Sequence, residues 1–159
     1  MPEQIGRVPA GAVLEDRNGK AVNSKQNFGE SNGVNRFEYV SPKSVEDALK
    51  HLPAGRPKAG GTDLVCLMKD HIIAPSKLVN LQGLDLRAIQ GGSIGALVTL
   101  SELAANDGIR SNYAALAQAA GETATPQVRN MATVGGNLCQ RPRCWYYRSD
   151  QFTCLKKGG

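Results

Sequence analysis

Lys58-Ala59-Gly60-Gly61-Thr62-Asp63-Leu64 sets two adjacent glycines between a short extended run and the start of a helical stripe. Glycines in such a turn let the backbone come close to a ligand, and successive free N–H groups there cradle phosphate oxygens. Asp63 is positioned to cap the following segment, in which Leu64, Leu67 and Met68 begin an apolar face. Taken alone the segment is weak evidence, since most Gly-Gly pairs are turns. It matches neither the dinucleotide fingerprint G-x-G-x-x-G nor a P-loop.

Working outward, Phe37-Glu38-Tyr39-Val40 reads as a strand, and Ser41-Pro42 as the N-cap and first-turn proline of a helix. Val45, Ala48, Leu49 and Leu52 fall at helical spacing and predict one apolar face, stopped by Pro53 and Gly55. Downstream, Lys77 to Leu81 reads as a strand, and residues 87–90 and 93–96 as a hairpin around Gly91-Gly92. Thr99-Leu100-Ser101-Glu102 has the form of a capping box opening a short helix through Ala105. Ser111 is expected to cap another helix, with Tyr113, Leu116, Ala117 and Ala120 on its buried face. A second glycine pair follows in Thr123-Ala-Thr125-Pro-Gln-Val-Arg-Asn-Met-Ala-Thr133-Val-Gly135-Gly136-Asn137, again rich in small hydroxyl residues. Two glycine loops with threonine neighbours on small α/β units suit a nucleotide pyrophosphate better than either does alone.

Length and composition allow one domain: 159 residues with 41% hydrophobic content bury a core, and 21% charge argues against wholesale disorder. No apolar run is long enough to span a bilayer, and the first twenty residues lack the apolar stretch of a signal peptide. A cytoplasmic protein is the expectation, with export alongside a partner subunit left open. Residues 1–35 are polar and Gly/Asn-rich, with one weak hairpin cue at Asn18-Gly19, and read as an extended or disordered arm. No Ser–His–Asp set, His-based zinc site or general base accompanies the glycine loops. A site that binds without proton-transfer groups suits a redox cofactor carrying its own chemistry.

The net charge of +5 is uneven, with +4 of it between Asn137 and Gly159. Arg141, Arg143, Arg148, Lys156 and Lys157, interleaved with Trp145, Tyr146 and Tyr147, admit three readings: nucleic-acid binding, a solvated face, or compensation of something anionic. Of four cysteines, Cys66 sits in the apolar run LVCLM and is expected to be a buried small hydrophobe. Cys139, Cys144 and Cys154 are spaced C-x4-C-x9-C. That cluster points to metal or to unpaired structural cysteines. Zinc and iron–sulfur sites both want four ligands, and three are local.

The segments AGGTDL (59–64), IGALVTLSEL (94–103) and QVRNMATVGGNL (127–138), in that order, resemble the successive signatures of the FAD-binding subunit of molybdenum hydroxylases. That family includes xanthine dehydrogenases, carbon monoxide dehydrogenase medium subunits and aldehyde oxidoreductases, and the resemblance runs from Phe37 to Gly159. It implies an α+β fold of the vanillyl-alcohol oxidase flavoprotein type. The expected layout is a small FAD-binding subdomain at 36–86, part of a second at 87–138, and a cysteine-containing basic insertion at 139–159. The implied cofactor contacts are Ala59, Gly60, Gly61, Thr62, Asp63 and Leu64 at the pyrophosphate, Gly135, Gly136 and Asn137 on the second loop, and hydrogen bonds from Thr133, Thr123 and Thr125.

The tail NLCQRPRCWYYRSDQFTCLKKGG is similar to members whose flavin subunit carries an extra 4Fe–4S cluster, which implies Cys144 and Cys154, then Cys139, as ligands. The family continues with further cysteines, strands and a C-terminal domain beyond the position of Gly159. The ligand set is thus incomplete here, and the expectation is a fragment, a split gene product, or a chain completed by another. The function implied is electron relay from iron–sulfur centres through FAD to an external acceptor. Implied partners are a small iron–sulfur subunit and a large molybdenum subunit, with no nucleic acid or membrane. Two other classes stay open: a zinc- or nucleic-acid-binding module built on the tail, and a truncated domain that binds nothing.

Overall fold

In the computed structural model, residues 34–149 and 152–158 are described, all within the compact unit Val34–Gly159. The expected arm at 1–35, with its Asn18-Gly19 cue, lies outside them but for its last two residues.

The three strands β1 (Glu38–Val40), β2 (Arg56–Lys58) and β3 (Lys77–Asn80) form a parallel sheet in the order β1-β3-β2. Parallel neighbours need crossovers, and helices α1 (Val45–His51) and α2 (Leu64–Lys69) lie in them. Central β3 carries the apolar residues: Leu78 and Val79 are buried, Val79 completely, and Val79 packs with Ala48, Leu84 and Leu97. The pairing Lys58↔Asn80 ends the β2–β3 ladder, so the chain leaves β2 at the sheet's edge directly into Ala59-Gly60-Gly61.

The second part begins with a hairpin, β4 (Ile89–Gln90) and β5 (Ser93–Ile94). Its turn residues Gly91 and Gly92 have φ +58° and +78°, the left-handed pair that a two-residue hairpin requires. Helix α3 (Leu100–Ala105) opens on the expected capping box: Thr99 Oγ1 accepts from the Glu102 N–H, and the Glu102 carboxylate accepts from the Thr99 N–H at 2.7 Å. That bond from the Thr99 backbone is the main reason the Glu102 carboxyl titrates below its ordinary value, against the opposing effect of burial, with the Thr99 hydroxyl and Arg87 adding to the lowering. α4 (Asp107–Asn112) and α5 (Ala114–Glu122) complete the layer, whose core is Val98, Leu103, Ile109, Ala117 and Ala120. Leu97 and Val98, successive residues at the turn that follows the hairpin, serve one core each.

Several local expectations are corrected. Ser44, not Ser41, caps α1, and buried Pro42 precedes the helix instead of occupying its first turn. Of the expected apolar face only Ala48 is buried, while Val45 and Leu49 are exposed. Ser111 lies inside α4, which Asn106 caps, and Tyr113 and Leu116 are exposed, leaving Ala117 and Ala120 as the buried residues of α5. Cys66 is exposed because α2 turns Leu67 and Met68 inward. The segment after Thr123 forms two short helices, α6 (Pro126–Arg129) and α7 (Val134–Leu138). Gly135 and Gly136 are therefore helical, not part of a second loop. No helix among the described residues is long and apolar enough to cross a membrane.

Candidate functional site

A cleft of about 620 Å³ opens where β2 ends, lined on one side by residues 59–64 and on the other by Thr133, Gly135 and Gly136. Its floor is apolar, with Leu67, Ile72, Ile73, Leu81 and Leu97, and its rim carries Arg56, Arg141, Lys156 and Lys157.

The two glycine segments meet at Gly60. A methyl group there would lie 1.7 Å from the carbonyl oxygen of Met131, so no side chain fits between the loop and the residues leading into α7. Gly61 has φ +81°, a left-handed conformation that other residues adopt only under strain. Among the described residues, the N–H groups of Gly60, Gly61, Thr62 and Asp63 donate no hydrogen bond within the chain. Across the cleft the backbone is fully engaged. The Val134 N–H donates to Val98 at 2.8 Å, Gly135 to Ala96 at 2.9 Å, Gly136 to the Thr133 hydroxyl at 3.1 Å, and Asn137 to the Thr133 carbonyl at 2.8 Å.

Asp63 stands at the N-cap of α2, yet its side chain caps nothing. The carboxylate instead accepts from the Arg141 N–H at 3.0 Å and from the Arg148 guanidinium at 2.5 Å, an ion pair with both side chains largely buried. Arg148 also donates through Nε to the Pro142 carbonyl at 2.9 Å and more weakly to that of Arg141, while its N–H donates to the Cys144 carbonyl. The basic, cysteine-bearing segment is thus folded against the first glycine loop, with Tyr147 buried beside it and lining the cleft. Lys157 donates to the carbonyls of Ser149 and Phe152.

The nine residues Ala59, Gly60, Gly61, Thr62, Asp63, Leu64, Thr133, Gly135 and Gly136 come together in this cleft. Asn137, Thr123 and Thr125 do not line it. The Thr123 hydroxyl donates to the Ala119 carbonyl at the end of α5, and Thr125 caps α6. Between them Ala124 is held at φ +52°, with the Arg129 guanidinium on the carbonyls of Thr123 and Ala124. Cys139 lines the cleft, Cys144 is exposed and Cys154 half-buried. No three of the chain's Cys, His, Asp or Glu residues gather as a metal site among the described residues. The sequence reading missed Arg56, Arg141 and Lys156 as cleft residues, and Arg148 as the partner of Asp63. For Arg141, Arg148 and Lys156 the advance signal was the uneven charge of the tail, and Arg56, on β2, had none.

Residues 35–156 match the family described as the FAD binding domain in molybdopterin dehydrogenase, and the chain belongs to that family. It is 39% identical over 127 residues to the FAD-binding subunit of an aldehyde oxidoreductase from Escherichia coli, covering 76% of this chain and 40% of that one. It is 34% identical to the carbon monoxide dehydrogenase medium chain of Afipia carboxidovorans, over 64% of this chain and 38% of that one. Among solved structures, quinoline 2-oxidoreductase from Pseudomonas putida superposes with a TM-score of 0.64 at 28% identity, over 67% of this chain and 40% of that one. The chain spans about two fifths of the length of the relatives it matches.

Proposed function

We propose that this chain binds FAD in the cleft, with the pyrophosphate on the loop Ala59–Leu64, and serves as the flavin-bearing electron relay of a molybdenum hydroxylase. The observation that carries the reading is the set of N–H groups from Gly60 to Asp63, turned loose at a cleft with a basic rim. Buried or half-buried N–H groups without acceptors are costly, and a bound phosphate would satisfy them. Arg56, Arg141 and Lys156 supply positive charge beside them, and Leu67, Ile72, Ile73, Leu81 and Leu97 offer an apolar bed for a ring system. Among the described lining residues there is no histidine, and the sole carboxylate, Asp63, is already paired.

Bound FAD supplies hydride and electron transfer at its ring system. The chain's own residues hold the pyrophosphate, shield the ring and leave proton chemistry to other groups. Electrons would arrive from iron–sulfur centres of a small subunit, themselves fed by a large molybdenum subunit, and leave to an external acceptor. The described cysteines do not assemble a cluster site, so no electron step is assigned to Cys139, Cys144 or Cys154.

Titration of the purified chain with FAD and with riboflavin, followed by quenching of flavin fluorescence, tests this reading. FAD should bind far more tightly than riboflavin, and ADP should compete. Equal affinity for the two flavins, or indifference to ADP, would remove the pyrophosphate site.

A further inference from the structure

The ion pair between Asp63 and Arg148 joins the pyrophosphate loop to a residue 85 positions away, and it answers two problems that the loop poses for anion binding. A carboxylate at an N-cap ordinarily accepts from N–H groups in the first turn of its own helix, which would hold the Asp63 charge at the mouth of the loop, beside the open donors of Gly60 to Asp63. An unpaired carboxylate beside a phosphate would also repel it. In this structure Asp63 makes no cap bond, and its two oxygens are turned away onto the Arg141 N–H and the Arg148 guanidinium.

We infer that Arg148 is a positioning residue for the pyrophosphate loop: it draws the Asp63 carboxylate aside and neutralises it, so that the open N–H groups of Gly60 to Asp63 meet a diphosphate without a competing negative charge beside them. The inference rests on the pyrophosphate reading above. Arg148 suits the task because its guanidinium is fixed from behind by the Pro142 and Arg141 carbonyls, and its side chain is only 14% exposed. A lysine could neutralise Asp63 but not span the same set of acceptors, since it lacks the planar fork. The same contacts make the segment Arg141–Cys144 part of the loop's support, so the cysteine-bearing segment and the flavin site form one mechanical unit.

The test is a suppression experiment in the intact chain, read as dissociation constants for FAD and for riboflavin. Arg148→Met should weaken FAD binding about tenfold or more, because a charge-assisted bond is lost and a carboxylate is released into an anion site. Riboflavin binding should change much less. Asp63→Ala alone should have a milder effect on FAD. The double variant Asp63→Ala/Arg148→Met should bind FAD better than Arg148→Met alone, because the freed carboxylate is what does the damage. A purely structural role for Arg148 gives the opposite pattern, with the double variant at least as impaired and both flavins losing equally. That pattern, or an unchanged FAD affinity in Arg148→Met, overturns the inference. A parent chain that does not prefer FAD to riboflavin overturns the pyrophosphate reading, and the inference with it.

Discussion

Gly60-Gly61 and Gly135-Gly136 face each other across one cleft, yet their backbones are in opposite states. The first pair lies in a loop whose N–H groups have no acceptor among the described residues, with Gly61 at φ +81°. The second lies in the first turns of α7, and every N–H from Val134 to Asn137 already donates to Val98, Ala96 or Thr133. A Gly-Gly pair therefore does not by itself announce an anion cradle. What decides is whether neighbouring segments consume the donors. Here the carbonyls of Ala96 and Val98, together with Thr133, consume those of α7, while the edge of the parallel sheet leaves those after β2 without acceptors among the described residues.

The sharpest way to break this contrast is at Gly60, where the two segments touch. Gly60→Ala places a methyl group 1.7 Å from the Met131 carbonyl oxygen, so the backbone itself must move. Flavin retention should be lost, and stability should fall by roughly 3 kcal/mol in chemical denaturation, the upper end for overpacking. Retention of stoichiometric flavin with unchanged stability would show that the segments do not meet as described.

Gly61→Val attacks the loop without touching the other side. A branched side chain at φ +81°, beside Val65 Cγ2 at 3.3 Å from the new Cβ, costs roughly 1–2 kcal/mol of backbone strain. The larger consequence is on the N–H groups, whose direction depends on that φ, so FAD should no longer be retained through gel filtration while the fold persists. Circular dichroism and flavin content, measured on the same sample, separate the two effects.

The smallest effect belongs to the second pair. Gly135→Ala gains about 1 kcal/mol of helix propensity but presses its methyl group to 3.0 Å from Ala96, so the two nearly cancel. Thermal stability should change little, and FAD affinity by less than about threefold. A large loss of FAD with intact stability would mean that the second pair also binds the cofactor through its backbone, and the contrast would fail.

The local grammar of the chain was legible in advance. The capping box at Thr99–Glu102, the left-handed hairpin turn at Gly91-Gly92, the strand at Lys77–Asn80 and the bend at Gly60-Gly61 all follow from side chains acting on backbone within a few residues. Where local cues compete, the reading slipped. Ser41-Pro42 and Ser44 are both plausible caps, and the chain uses Ser44, whose Oγ accepts from the Asp47 N–H. Cys66 looked buried because its neighbours are apolar, but a helix six residues long turns only part of its circumference inward, and Leu67 and Met68 take that part.

The sequence by itself determined the order of elements, the family signatures and the positions of the conformationally special glycines, because these depend on covalent geometry and near neighbours. Only the tertiary structure decided which of those glycines stands at open donors. Met131 meets Gly60, Ala96 and Val98 satisfy α7, and Arg148 takes Asp63 from 85 residues away. Each of these is a pairing between distant segments, and a buried polar group is satisfied by whatever the fold brings within hydrogen-bond reach, not by what adjoins it in the chain.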